Sequence, residues 1–203
     1  AARVEAPRRV VKATSADRQL RIEALLDQAR LAFESNLLYA ANEFCQDVIK
    51  LAPDYLPVHF LLTEIYLRRG HTELAMKKAT SLLDVYEASN DYRGAADACR
   101  MLIEVQPDNL GIRRKRITYL LQVGVAAEVV EDCWTLVRRL DPVRDNAERL
   151  SLLEHIKRMA GDSPEIEQAL GEHFAATDQN QAACEHLLRA ADGYRARGAV
   201  TLM

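Results

Sequence analysis

The chain has 203 residues, 49% of them hydrophobic and 28% charged, with only 8 glycines and 6 prolines. That balance excludes a globally disordered or collagen-like chain. The formal net charge of −3 gives no whole-chain electrostatic case for a nucleic-acid partner, and no run approaches the roughly 20 apolar residues of a membrane span.

Residues 1–16, AARVEAPRRVVKATSA, lack the apolar centre of a signal peptide and predict a mobile, mildly basic leader. After it, apolar periodicity and stop signals predict ten helices, over 17–34, 37–51, 55–69, 72–89, 91–105, 109–123, 126–140, 143–160, 164–176 and 179–197. In 55–69, Leu56, Phe60, Leu61, Ile65 and Leu67 recur three and four apart. Arg68-Arg69-Gly70 then supplies cations for the last turn and a glycine for a left-handed end. Asp54, Asp108 and Ser163 stand before helix starts as candidate N-caps, with Pro164 at a first helical position. Pro53, Pro107 and Pro142 stand just past helix ends, because proline cannot continue the ladder.

The helices repeat. Residues 36–56 align without a gap on residues 90–110, pairing Asn36 with Asn90, Ala41 with Ala95, Cys45 with Cys99, Ile49 with Ile103 and Pro53 with Pro107. The 54-residue shift continues through Leu67/Leu121 and Gly70/Gly124. Doubled, it lays Leu62 to Tyr66 on Leu170 to Phe174, Ala75 on Ala183 and Tyr86 on Tyr194. We therefore expect one domain over 17–203 made of three-helix units near 17–70, 71–124 and 125–178, with a partial fourth over 179–203. The register places the start of another helix near 199, so the array is expected to run on as part of a longer protein.

Within this repeat lie the pieces of a known signature: a large residue, Leu, Gly or Ala and Tyr on one helix, then Ala, a small residue and Pro on the next. Residues 22–55 offer Leu25, Ala29, Ala41, Cys45 and Pro53 at its spacing, and residues 56–86 offer Leu62, Tyr66, Gly70, Ala75, Ala79 and Leu82. Residues 76–109 offer Leu83, Tyr86, Ala95, Cys99, Leu102 and Pro107, and residues 164–197 offer Leu170, Gly171, Phe174, Ala183 and Leu187. The chain thus resembles the tetratricopeptide repeat (TPR) family from 17 to 198. The pattern fades over 110–160, where Thr118 and Val130 replace small residues and helix 143–160 has almost no signature position. The resemblance implies an all-α, right-handed superhelix of antiparallel helices, a TPR-like solenoid, with a concave groove that binds an extended peptide or a partner's helix. The carboxylate clamp of Lys, Asn and Arg found in some members of the family does not align here.

No catalytic or cofactor motif occurs: there is no G-x-S-x-G, Walker loop, G-x-G-x-x-G or H-E-x-x-H. No two of His59, His71, His155, His173 and His186 lie three or four apart, so no helix offers a two-histidine metal face. Cys45, Cys99, Cys133 and Cys184 sit in apolar patterns and read as buried, reduced thiols of a cytoplasmic protein, and Trp134 and the tyrosines read as core. We expect a non-enzyme without cofactor or metal.

One cluster stands out: Arg113, Arg114, Lys115 and Arg116 on helix 109–123. Four consecutive cations fan round one turn, so some must lay their stems on the apolar stripe of Ile112, Ile117, Leu120 and Leu121. They form either a solvated face opposite acids such as Glu104, Asp108 and Glu148, or a patch for an acidic peptide or a carboxylate terminus. In both cases charge reversal there is expected to leave the fold intact. The expected function is a scaffold for a protein or peptide partner. The alternatives are a subunit that self-associates through its open helical end, and a regulatory arm of a larger bacterial signalling or transcription protein.

Overall fold

In the computed structural model residues 15–198 are described, and they form ten α-helices with no strand among them. These are α1 (Ser15–Glu34), α2 (Leu38–Leu51), α3 (Leu56–Arg68), α4 (Thr72–Ser89), α5 (Tyr92–Val105), α6 (Leu110–Val123), α7 (Ala126–Val137), α8 (Asn146–Ala160), α9 (Pro164–Ala176) and α10 (Asn180–Ala196). The all-α expectation holds helix for helix. Ser15 and Ala16 already belong to α1; the rest of the expected leader, and the helix expected from 199, lie outside the described residues. No described helix is long and apolar enough to cross a membrane.

The chain divides into two compact units, separated inside α4 between Leu82 and Leu83. In the first, α1 packs on α2 and α2 on α3. Their shared core holds Ile22, Leu26, Val48, Val58 and Ile65 around Ala29, Ala41 and Cys45, three small residues with no exposed surface. Small side chains at those points let the helix axes approach, and each large aliphatic buried beside them contributes about 1.5–3 kcal/mol. In the second unit, α5 to α10 pack each on the next around Leu120, Val129, Cys133, Leu136, Leu153, Ile156 and Leu170.

The helix ends carry the 54-residue register into the backbone. Asn36 and Asn90 have φ of 59° and 56°, and Gly70, Gly124 and Asp178 have φ of 73°, 79° and 59°. Each set is spaced by 54, and each residue ends a helix in the left-handed region, which Gly, Asn and Asp enter most readily. The same closing hydrogen bond recurs: the N–H of Leu37 reaches Ala32 O, His71 reaches Tyr66 O, Asp91 reaches Tyr86 O, Val125 reaches Leu120 O and Gln179 reaches Phe174 O. The next position of the first series, Arg144, does not follow. There Asp141 accepts from the amides of Val143 and Arg144 at 2.9 and 2.8 Å, a local turn that delays α8 to Asn146, three residues past the expected start.

Two caps are displaced by one residue. Asn109, not Asp108, accepts from Ile112 N at 3.2 Å, and Tyr55 precedes α3 without a side-chain cap where Asp54 was expected to serve. Ser163 caps α9 as expected, and Asp91, which the sequence reading passed over, caps α5 through Gly94 N at 2.9 Å.

At α9–α10 the signature residues meet. A Cβ on Gly171 would lie 2.7 Å from Leu187 Cγ and 3.2 Å from the carbonyl oxygen of Ala183. Only glycine allows so close an approach. Gly171→Ala is therefore expected to lose about 1 kcal/mol by overpacking, even though alanine in a helix interior normally gains about that much. Urea unfolding measures it, and a variant more stable than the parent would mean that the two helices are not so closely apposed.

Candidate functional site

The basic run of α6 faces acids on three other helices. Asp132 of α7, 1% exposed, takes Arg113 Nη1 on Oδ1 and Arg116 Nη1 on Oδ2, both at 2.6 Å. Arg116 also reaches Glu128 Oε2 at 2.5 Å, and Arg93 holds the other oxygen of Glu128 at 2.8 Å. Arg114 grips Glu148 of α8 with two bonds, of 2.5 and 2.9 Å. Lys115 donates to Glu87 of α4 at 2.9 Å, and the Tyr119 hydroxyl donates to the same carboxylate. Hydrogen bonds from Tyr119 and Lys115 hold Glu87 below the usual carboxylate range, and those from Arg93 do the same for Glu128. Of the expected acidic neighbours only Glu148 serves; Asp108 pairs with Arg139, and Glu104 with Arg100.

The expectation that reversing these charges spares the fold is revised for Arg113 and Arg116. Their side chains are only 13% and 10% exposed, and a carboxylate in either place would be buried against Asp132. Register explains the burial. Position 116 is the equivalent of Leu62 and Leu170, which are 2% and 3% exposed in their own copies. An arginine thus occupies a core position, and Asp132 and Glu128 neutralise it there.

The next copy repeats this contact with the acid and its nitrogen partner exchanged between the two helices. Glu167 is the equivalent of Arg113, and His186 of Asp132. Glu167, 5% exposed, accepts from His186 Nδ1 at 2.7 Å and from Lys157 Nζ at 2.6 Å. Burial pushes its carboxyl up, but the bonds from Lys157 and His186 outweigh this and leave it below the usual range. Phe174 stacks on His186 at 5.3 Å and meets His173 edge-on at 5.6 Å. His173 has no exposed surface, and both its ring nitrogens lack partners.

Sequence reading missed a sizeable hollow in this region. A groove of about 540 Å³ opens between α7, α8, α9 and α10, lined among others by Trp134, Arg138, Arg149, Glu165, Glu172 and Tyr194. Arg149 donates from Nε to the carbonyl of Val137 at 3.3 Å, while its buried Nη1 has no acceptor. The acids around it are engaged: Glu165 with Arg197 at 2.7 Å, and Glu172 with Gln168 at 2.8 Å. None of Arg113, Arg114, Lys115 and Arg116 lines the groove.

Two other expectations change. Cys45, Cys99 and Cys133 are buried, and burial raises their thiols to about 11, about 12 and about 11, but Cys184 is exposed on α10. Tyr86 is core, whereas Tyr39 is 76% exposed and Tyr92 38%. Among the described residues no group of three or more His, Cys, Asp or Glu could hold a metal ion.

No protein-family model and no curated protein matches the chain. Among solved structures it is similar to MamA protein at 12% identity, over 91% of this chain and 98% of that one, with a TM-score of 0.41. It is also similar to a tetratricopeptide repeat protein from Parabacteroides merdae (13% identity, 86% and 80% covered, TM-score 0.35) and to a thermophilic TPR protein of Thermus thermophilus (14%, 89% and 100%, 0.32). TM-scores below 0.5 carry nothing beyond the likeness itself. The chain's own register, its repeated helix ends and the meeting of its signature residues at α9–α10 make it an all-α helical-repeat protein of TPR-like build.

Proposed function

We propose that this chain is a protein-interaction scaffold without enzymatic activity, and that it holds a segment of a partner protein in the groove between α7 and α10. The observation that carries this reading is the groove itself. It combines a large aromatic, Trp134, with a guanidinium whose Nη1 lacks an acceptor. Apolar surface beside a few directed polar groups is the usual make-up of a ligand site. The helices around it are already packed, so the host loses little ordering entropy on binding. The basic run serves mainly as an internal brace; Arg114 and Lys115, at 44% and 55% side-chain exposure, are its members within a partner's reach. The three buried thiols support a reducing compartment such as the cytoplasm.

Selection from a displayed library of random dodecapeptides tests the proposal. The purified chain should enrich related sequences that change the emission of Trp134, the only tryptophan. No enrichment, or binders that leave Trp134 unchanged, counts against it.

A second reading, self-association, is favoured by the outer face of α10, where Leu188 is 67% exposed beside Cys184. Light scattering over a hundredfold concentration range distinguishes it: a rising mass supports assembly, and a constant monomer mass removes it.

A further inference from the structure

We infer that the groove between α7 and α10 recognises a carboxylate side chain of the partner, an Asp or Glu next to a large apolar residue, with Arg149 taking the carboxylate and Trp134 the apolar neighbour. The inference rests on the scaffold reading above and adds the chemistry of the ligand.

Arg149 lies on α8 and lines the groove. Among the described residues its hydrogen bonding is confined to Nε, which donates to the Val137 carbonyl. A guanidinium carries five donors in a flat fork that matches a carboxylate. In Arg149, Nη1 is enclosed by the protein, whereas Nη2 has no partner and is not enclosed, so Nη2 is the donor open to a ligand in the groove. Burial holds the Arg149 cation below its ordinary strength, with Glu172 opposing that effect. Arg113 and Arg116 each leave their Nε without a partner, but both guanidiniums are held by Asp132. The half-buried Arg149 has no hydrogen bond or ion pair to a carboxylate among the described residues, and it lines the groove with the exposed Arg138.

The competing acids do not fill that role. Glu165 and Glu172 line the same groove but are engaged by Arg197 and Gln168. Their presence also sets a limit. A strongly acidic ligand would meet them, so one carboxylate with an uncharged, apolar neighbour fits better than an acidic run. Trp134 packs one side against the core of the second unit and leaves the rest at the groove, where it offers a rigid face for an aliphatic side chain.

The probe is the pentapeptide Ala-Leu-Glu-Leu-Ala with acetylated and amidated ends, so that its side-chain carboxylate is its sole charge. It is titrated to millimolar concentration against Trp134 emission. Its Gln counterpart should bind about tenfold or more weakly, the loss expected when one charge-assisted hydrogen bond goes. In Arg149→Met the two peptides should bind alike, and Arg149→Lys, a cation without the fork, should fall between. Circular dichroism checks that both variants fold, and the Glu–Gln comparison on the unaltered chain needs no variant.

Equal binding of the Glu and Gln peptides overturns the inference while leaving the groove a binding site. So does equal binding by the Gln peptide with a free C-terminus, which would make a chain terminus the recognised carboxylate. No response to any peptide also overturns it, and the library selection then decides separately whether the scaffold reading survives.

Discussion

Asp132→Ala is expected to destabilise the protein by about 3–5 kcal/mol, the usual cost of removing one partner from a buried ion pair. Asp132 is the acceptor that Arg113 and Arg116 share, and both guanidiniums stay almost fully covered when it is gone. Glu128 remains for Arg116, but Arg93 already holds its other oxygen. At about 2–4 °C per kcal/mol for a chain of this size, the melting temperature should fall by about 10 °C. Arg116→Leu should behave very differently. Asp132 keeps Arg113, and leucine is what the register places at positions 62 and 170, so a change within about 1 kcal/mol is expected. Chemical denaturation of the two variants side by side reads this asymmetry. Two small, equal effects would show that the pairs are solvated rather than buried.

The second large effect concerns acid. Burial, aided by the Arg149 charge, holds the His173 imidazole below its ordinary value of 6.5. Above pH 6.5 the ring is neutral whether the chain is folded or unfolded, and it contributes no pH dependence. As pH falls through 6.5 the unfolded chain takes up a proton that the folded chain refuses. Stability is therefore lost by up to about 1.4 kcal/mol per pH unit until the lower folded value is reached. Glu167 follows at lower pH. Its carboxyl is held below its ordinary 4.5, so its stabilisation is present above 4.5 and disappears as pH falls through the depressed folded value. His173→Ile separates the two. The register places Ile65 at this position in the first copy, with no exposed surface. The substitution removes two buried, unpartnered nitrogens, so it should gain about 1–2 kcal/mol at pH 7. It should also flatten the stability profile just below pH 6.5. An unchanged profile would mean that His173 titrates as an exposed histidine does.

Much of this fold was legible in the sequence, because the devices that end its helices are local. Asn36, Gly70, Asn90 and Gly124 are residue types that tolerate a left-handed backbone, and they recur with the repeat. The small residues Ala41, Cys45, Ala95 and Cys99 are buried for the packing reason that the resemblance implies. The site was less legible, because its partners are remote. Arg113 and Arg116 find Asp132 19 and 16 residues away, across a helix turn, and a run of four cations reads as a surface when taken alone. One signal was nevertheless present. Aligning Leu62 with Leu170 passes over position 116 midway, and an arginine at a position otherwise held by leucine announces either a buried ion pair or a local break in the repeat. The groove left no such mark, since Arg149 belongs to the helix with almost no signature residues. Cys184 shows the converse limit. Its apolar surroundings in sequence do not say which face of α10 it takes.

Amide hydrogen exchange on the complex with a library-selected peptide tests the central claim most directly, since it locates the bound segment without assuming its sequence. The scaffold reading predicts slowed exchange in α7, α8, α9 and α10 around Trp134, Arg149 and Gln168, with α1 to α3 unchanged. Protection confined to α1–α3, or to the outer face of α10 at Leu188, would contradict it.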